Sequence, residues 1–93
     1  MKWVADKLLA GKIVVFRPRG NSMDPLIKSG QEVTLAPANG DPIYVDDIVL
    51  CRVAGNIYLH KVLAIGDRGF LIGNNKNHIN GWTKTVYGVM VKR

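Results

Sequence analysis

The stretch IVLCRVAGNIYLHKVLAIGDRGFLI, residues 48–72, decides the fold. Its apolar, β-branched runs are interrupted by Ala54-Gly55-Asn56 and by Gly66-Asp67-Arg68-Gly69. Each interruption sets glycine beside Asn or Asp, residues that accept positive φ at low cost, so the pattern predicts antiparallel hairpins rather than a helix. Gly55 or Asn56 is expected to carry the positive φ of the first turn. Within the second run, alternation puts Tyr58, His60, Val62 and Ala64 on one face and Ile57, Leu59, Lys61, Leu63 and Ile65 on the other.

The same punctuation by Gly, Pro, Asn and Asp extends to both sides and predicts strands over residues 12–17, 32–36, 47–53, 57–65, 69–72 and 85–92. Helical spacing occurs at Trp3, Val4, Lys7 and Leu8, which predicts a short amphipathic helix within residues 1–10, and a second helical turn is expected over 23–27. Residues 36–45 have the composition of a surface loop, and residues 74–81 that of a turn-rich connection, with His78 solvated in it and Trp82 turned into the core. With 93 residues and 47% apolar side chains, the expectation is one compact, mainly β domain spanning 1–93, a helix at 1–10 leading into a β core at 12–93.

Composition narrows the classes of function. No apolar run approaches the roughly 20 residues that cross a bilayer, and the opening MKWVADKLLAGK carries an acid and too short an apolar run for a secretory signal, so a cytoplasmic location is expected. Cys51 is the single cysteine and lies in the run 48–51, where a buried structural thiol is expected. The net charge is +6, and after Asp67 the chain contains Arg68, Lys76, Lys84, Lys92 and Arg93 with no acid. A basic face of this kind attracts nucleic acid or acidic partners, but neither a basic helix nor an aromatic-interleaved motif accompanies it, which leaves a nucleic-acid-associated module as the minor alternative. No His, Cys or Asp cluster has metal-ligand spacing, and neither a metal nor an organic cofactor is expected.

The least ordinary stretch is Arg19-Gly20-Asn21-Ser22-Met23-Asp24-Pro25, where a strand ends, glycine permits a sharp turn and a serine precedes a proline. Such a turn either presents the hydroxyl and gathers the backbone N–H groups of Asn21, Ser22 and Met23 around one point, as an oxyanion requires, or uses Ser22 to cap a short helical turn. The nucleophilic alternative demands a base within reach. His60 would serve at its ordinary pKa of about 6.5, whereas Lys61 would need strong desolvation, and strand alternation allows only one of the two to face the serine.

The block Gly20-Asn21-Ser22-Met23-Asp24-Pro25 followed by Gly30 resembles the G-x-S-M-x-P…G-D box of signal peptidases and LexA-type serine peptidases. Asp46-Asp47-Ile48-Val49 is similar to the family's G-D-I-V segment, Leu59-His60-Lys61-Val62 to its base-bearing strand, Gly73-Asn74-Asn75-Lys76 to its G-D-N box, and Tyr87-Gly88-Val89 to its closing strand. The resemblance spans residues 19–91 and is closest to the Ser-His, archaeal and eukaryotic-type, signal peptidase pattern. It implies a LexA/signal-peptidase-like β-fold and a soluble serine endopeptidase with Ser22 as nucleophile and His60 as general base, with Lys61 as the alternative base. Its substrate would be a peptide or protein. Two family acids are replaced, by Gln31 and by Asn74. Asn74 stands where the Ser-His members keep the aspartate that orients the imidazole, so it becomes the expected orienting residue, with Asp46 and Asp47 as the nearest substitutes for the charge. Ala10-Gly11 is similar to the bond that LexA-type repressors cut in themselves. The runner-up function is a catalytically weak or inactive relative that binds an extended peptide by strand addition or forms a homodimer.

Overall fold

The helix forms where the apolar residues fall on one side: α1 (Lys2–Leu9) buries Val4, Ala5 and Leu8. The structure, a computed structural model, describes residues 1–91. Seven strands follow, β1 (Val14–Phe16), β2 (Val33–Pro37), β3 (Ile48–Val53), β4 (Asn56–Gly66), β5 (Gly69–Gly73), β6 (Ile79–Thr83) and β7 (Val86–Met90). They form a single antiparallel sheet in the order β1-β2-β7-β3-β4-β5-β6. The protein is therefore mainly β with a short N-terminal helix, and none of its described helices is long and apolar enough to cross a membrane. Lys92 and Arg93, the end of the last expected strand and of the basic tail, lie outside the described residues.

The central hairpin closes as its composition demands. Val53 pairs with Asn56, leaving Ala54 and Gly55 as the turn with φ of 49° and 83°. Positive φ at both central residues is the type I′ geometry that matches the twist of paired strands. Asn56 is thus the first residue of β4, and Ala54 takes the second positive φ.

Alternation sends β3 and β4 into two cores. Leu50, Leu59 and Leu35 pack with Val4, Leu8, Met23 and Ile27 beneath α1. Val49, Cys51, Val53, Val62 and Ile72 form the other core, flanked by Tyr58 and Phe70. Gly88 on β7 is what lets the helix lie close: a Cβ there would stand 2.8 Å from Leu8 Cδ1 and 2.8 Å from the Ala36 carbonyl oxygen.

Three expectations need correction. Residues 79–81, expected as the end of a turn-rich connection, belong with Trp82 and Thr83 to strand β6, which pairs with β5 from Gly73↔Ile79 to Phe70↔Thr83. Asn80-Gly81 gives the segment the look of a turn, but β5 supplies a complete ladder partner, and tertiary pairing outweighs local propensity. Thr83 Oγ1 then donates to the Arg52 carbonyl at 2.6 Å, fastening the end of β6 to β3. Trp82 is not a core plug: it is half-buried, lies against Gly66 and carries the Arg68 guanidinium 5.4 Å from its ring centroid. Residues 23–27, for their part, make one helix-type bond, Ile27 N–H to the Met23 carbonyl at 2.9 Å, and no helix.

One feature of β4 positions everything that follows. Its first half pairs with β3, from Asn56 to Lys61, and β5 begins its pairing only at Lys61, with a register shift between Val62 and Ala64. The β5 side of residues 57–60 is left without a strand.

Substituting Gly88 by alanine should lower unfolding free energy by about 1–3 kcal/mol, the usual cost of forcing atoms into a packed contact. Urea denaturation of wild type and variant measures it.

Candidate active site

The segment between β1 and β2 is drawn into a closed loop. Gly20, at φ +106°, turns the chain, and its N–H donates to Ser29 Oγ at 3.1 Å. At the base, Gly30 N–H donates to the Pro18 carbonyl at 2.8 Å and Arg17 Nη1 donates to the Gly30 carbonyl at 3.0 Å. Met23 and Ile27 are buried in the core beneath α1 and pin the loop from inside. Ser22, next to the first of these anchors, is held half-buried beside the open flank of β4.

There Ser22 Oγ lies 3.2 Å from His60 Nε2. On the far side of the ring, His60 Nδ1 lies 2.7 Å from Asn80 Oδ1. An amide oxygen only accepts, so Nδ1 carries the proton and Nε2 keeps its lone pair toward the serine hydroxyl. That is the tautomer in which an imidazole can take a proton from an alcohol. Tyr58, two residues earlier on the same face, stacks on the ring with centroids 5.2 Å apart and planes 20° from parallel.

His60 is 9% exposed, and its surroundings favour the neutral ring. Burial pushes its pKa below the ordinary 6.5 as the dominant effect; the hydrogen bond to Asn80 acts in the opposite direction, and the nearby His78 adds a smaller downward push. The protein thus holds a neutral base at neutral pH without a carboxylate to support it. Because the unfolded chain binds the proton more readily, His60 contributes stability that is fully present above about pH 6.5 and is lost as pH falls through its folded pKa.

Lys61 points to a different partner. Its Nζ donates to Asn75 Oδ1 at 3.1 Å, while Asn75 Nδ2 donates to the Asp24 carbonyl at 3.0 Å and Asn75 N–H to the Ser22 carbonyl at 3.0 Å. The lysine holds the serine loop through Asn75 and His60 meets the hydroxyl, as alternation along a strand requires of neighbouring residues.

Asn74, expected to orient the imidazole, does not. Its Oδ1 accepts from the N–H groups of Lys76 at 2.8 Å and His78 at 3.1 Å, which ties up its carbonyl in shaping the β5–β6 turn. The orienting contact comes from Asn80, on the strand that the sequence disguised as a turn. Nor does Asp47 supply a carboxylate to the ring's Nδ1: its Oδ2 accepts from Tyr44 N–H at 2.9 Å, and Asp46 and Asp47 use their main chains to bracket Val62. Asn75 had no assigned role in the sequence; its place in the block 73–76 was the available signal.

The N–H groups of Asn21, Ser22 and Met23, the expected oxyanion donors, make no hydrogen bond among the described residues. Ala10-Gly11 closes the C-terminal turn of α1, where Ala10 and Gly11 N–H donate to the carbonyls of Asp6, Lys7 and Leu8. The Cys51 thiol is buried and pushed up to about 12, an inert group. Among the described residues no cluster of His, Cys, Asp or Glu is placed to hold a metal ion. The chain matches no protein-family profile, no curated protein and no solved structure.

NMR titration of the imidazole protons should place His60 below 6.5. Asn80→Asp should raise that pKa through the added charge, Asn80→Ala should lower it further, and Asn74→Asp should move it far less than Asn80→Asp does.

Proposed function

We propose that the protein is a serine endopeptidase of the signal-peptidase/LexA-like type, with Ser22 as nucleophile, His60 as general base and Asn80 as the residue that fixes the imidazole. The observation that carries this reading is the Ser22–His60–Asn80 chain, with spacings of 3.2 and 2.7 Å and the accepting amide oxygen on Nδ1. Ser22 Oγ attacks the peptide carbonyl as its proton passes to His60 Nε2. The oxyanion forms against the N–H groups of the 21–23 turn, and the imidazolium then returns the proton to the departing amine. Water, deprotonated by the same nitrogen, releases the acyl group. The substrate is a peptide segment in extended form, since residues 57–60, on the strand that carries His60, leave a flank without a strand partner.

Asparagine in place of the triad aspartate sets the expected rate. In serine triads that exchange lowers turnover about 10⁴-fold, chiefly because the amide selects the wrong tautomer. Here the amide oxygen selects the right one, so what is missing is the negative charge that would stabilise the imidazolium. A second reading rests on that same absence: a peptide-binding or dimerising relative that has kept the architecture and catalyses little.

Incubation with a fluorophosphonate, read by intact mass, separates the two. The expected result is a single adduct on Ser22, absent in Ser22→Ala and formed about 10²–10⁴ times more slowly in His60→Ala. The labelling rate should rise with pH along a limb whose midpoint lies below 6.5, because the neutral ring is the active form. Asn80→Asp should label faster at neutral pH. A folded protein that takes no label above pH 7 leaves the binding reading in place.

A further inference from the structure

The dyad opens into a cleft of about 360 Å³ whose far wall has no counterpart in the proposed chemistry. That volume is within the range of about 300–1,000 Å³ typical of sites that enclose small molecules, far more than a methyl group fills. The wall is apolar and largely aromatic. Trp3 reaches it from α1, Met1 from the residue before that helix, Phe16 from β1 and Ile57 from the open half of β4. Trp3 remains 54% exposed and Met1 46% exposed, although both are large and apolar. Trp3 and Phe16 are set edge to face, with centroids 6.3 Å apart and planes at 85°, so the aromatic surface is held in place before anything binds.

Charge gives the cleft a direction. Arg17 and Arg19 stand on its rim, and no Asp or Glu lines it. Arg17 is engaged by Glu32 at 3.4 Å, whereas Arg19 has no ion pair among the described residues. An acidic group arriving beside an apolar one meets that guanidinium; a basic one is repelled.

Resting on the serine-peptidase reading of the dyad, we propose that the cleft selects substrates by a large apolar side chain, aromatic or long aliphatic, accompanied by an acidic residue two positions away on the same side of the chain. The apolar side chain sits at the reacting residue or two residues before it, the positions that project to one side of an extended chain. Trp3 and Phe16 bound the pocket for it, and Arg19 receives the acid. Neither group touches the reacting atoms; both act on substrate binding.

The test uses peptidyl diphenyl phosphonates on the full chain. Ser22 Oγ attacks phosphorus, one phenoxide leaves, and the serine proton passes through His60 to that phenoxide. Probes differ only at the reacting residue and two residues before it: one of these positions carries benzyl or methyl, and the other methyl, aspartate or lysine. One of the benzyl probes should label Ser22 about tenfold or more faster than the all-methyl probe, a discrimination of the size apolar pockets achieve. In Trp3→Ala that ratio should collapse toward one. The aspartate probe should outpace the lysine probe by a few-fold at low salt, less so as salt is added, and Arg19→Glu should reverse the order. An all-methyl probe that labels fastest overturns the apolar pocket, whatever closes it, including a second copy detected by light scattering. A preference unchanged in Trp3→Ala overturns the assignment to that wall, and an aspartate-to-lysine ratio unchanged in Arg19→Glu overturns the acidic one. Failure of every phosphonate and of the fluorophosphonate removes the peptidase reading instead.

Discussion

The site depends on the unequal pairing of β4. This strand is eleven residues long; β3 takes its first six residues and β5 five of its last six, passing over Leu63, with Lys61 paired to both. β5 cannot reach further back, because its five residues are tied to the end of β4 by the tight Asp67-Arg68 turn, and the register shift past Val62 carries it away. A strand flank left unpaired exposes backbone groups and invites another segment to cover them. The serine loop stands beside that flank, anchored by Met23 and Ile27 in the core below. The meeting of Ser22 with His60 is thus a consequence of where two ladders stop and start.

Two polar chains clamp the loop to β4. One runs from Ser22 through His60 to Asn80; the other runs from Lys61 through Asn75 to the carbonyls of Ser22 and Asp24. They leave neighbouring positions of the same strand, so each fixes the loop from a different side. The second chain ends on main-chain carbonyls of the loop, whereas the first reaches the Ser22 hydroxyl. No buried side-chain polar atom among the described residues lacks a hydrogen-bond partner, as low-dielectric surroundings demand.

A neutral amide behind a buried imidazole is a particular electrostatic choice. Burial lowers the proton affinity of His60, so the neutral ring is favoured at neutral pH, while an imidazolium there would find only the Asn80 dipole to stabilise it. An aspartate would reverse both effects. On the proposed reading, then, the site holds its base ready at the expense of transition-state stabilisation.

Much of this was legible in the residues. Alternation and glycine-bearing turns gave the helix, six of the seven strands, the hairpin at 53–56 and the rule that His60 and Lys61 cannot both face one point. These are local properties: the period of side chains along an extended chain, and the cost of positive φ. What lay beyond local reach was β6, hidden behind Asn80-Gly81, and with it the partner of the imidazole, which the sequence placed at Asn74 and the fold places at Asn80. Which residue stands behind a ring depends on how β6 registers against β5 across a shift between Ile72 and Gly73, and on the coil that brings β6 back to β3. Such proximity between segments distant along the chain is set by packing and ladder register summed over the whole sheet, which is why the resemblance could single out Ser22 and His60 from their local motifs while the residue behind the ring lay outside its reach.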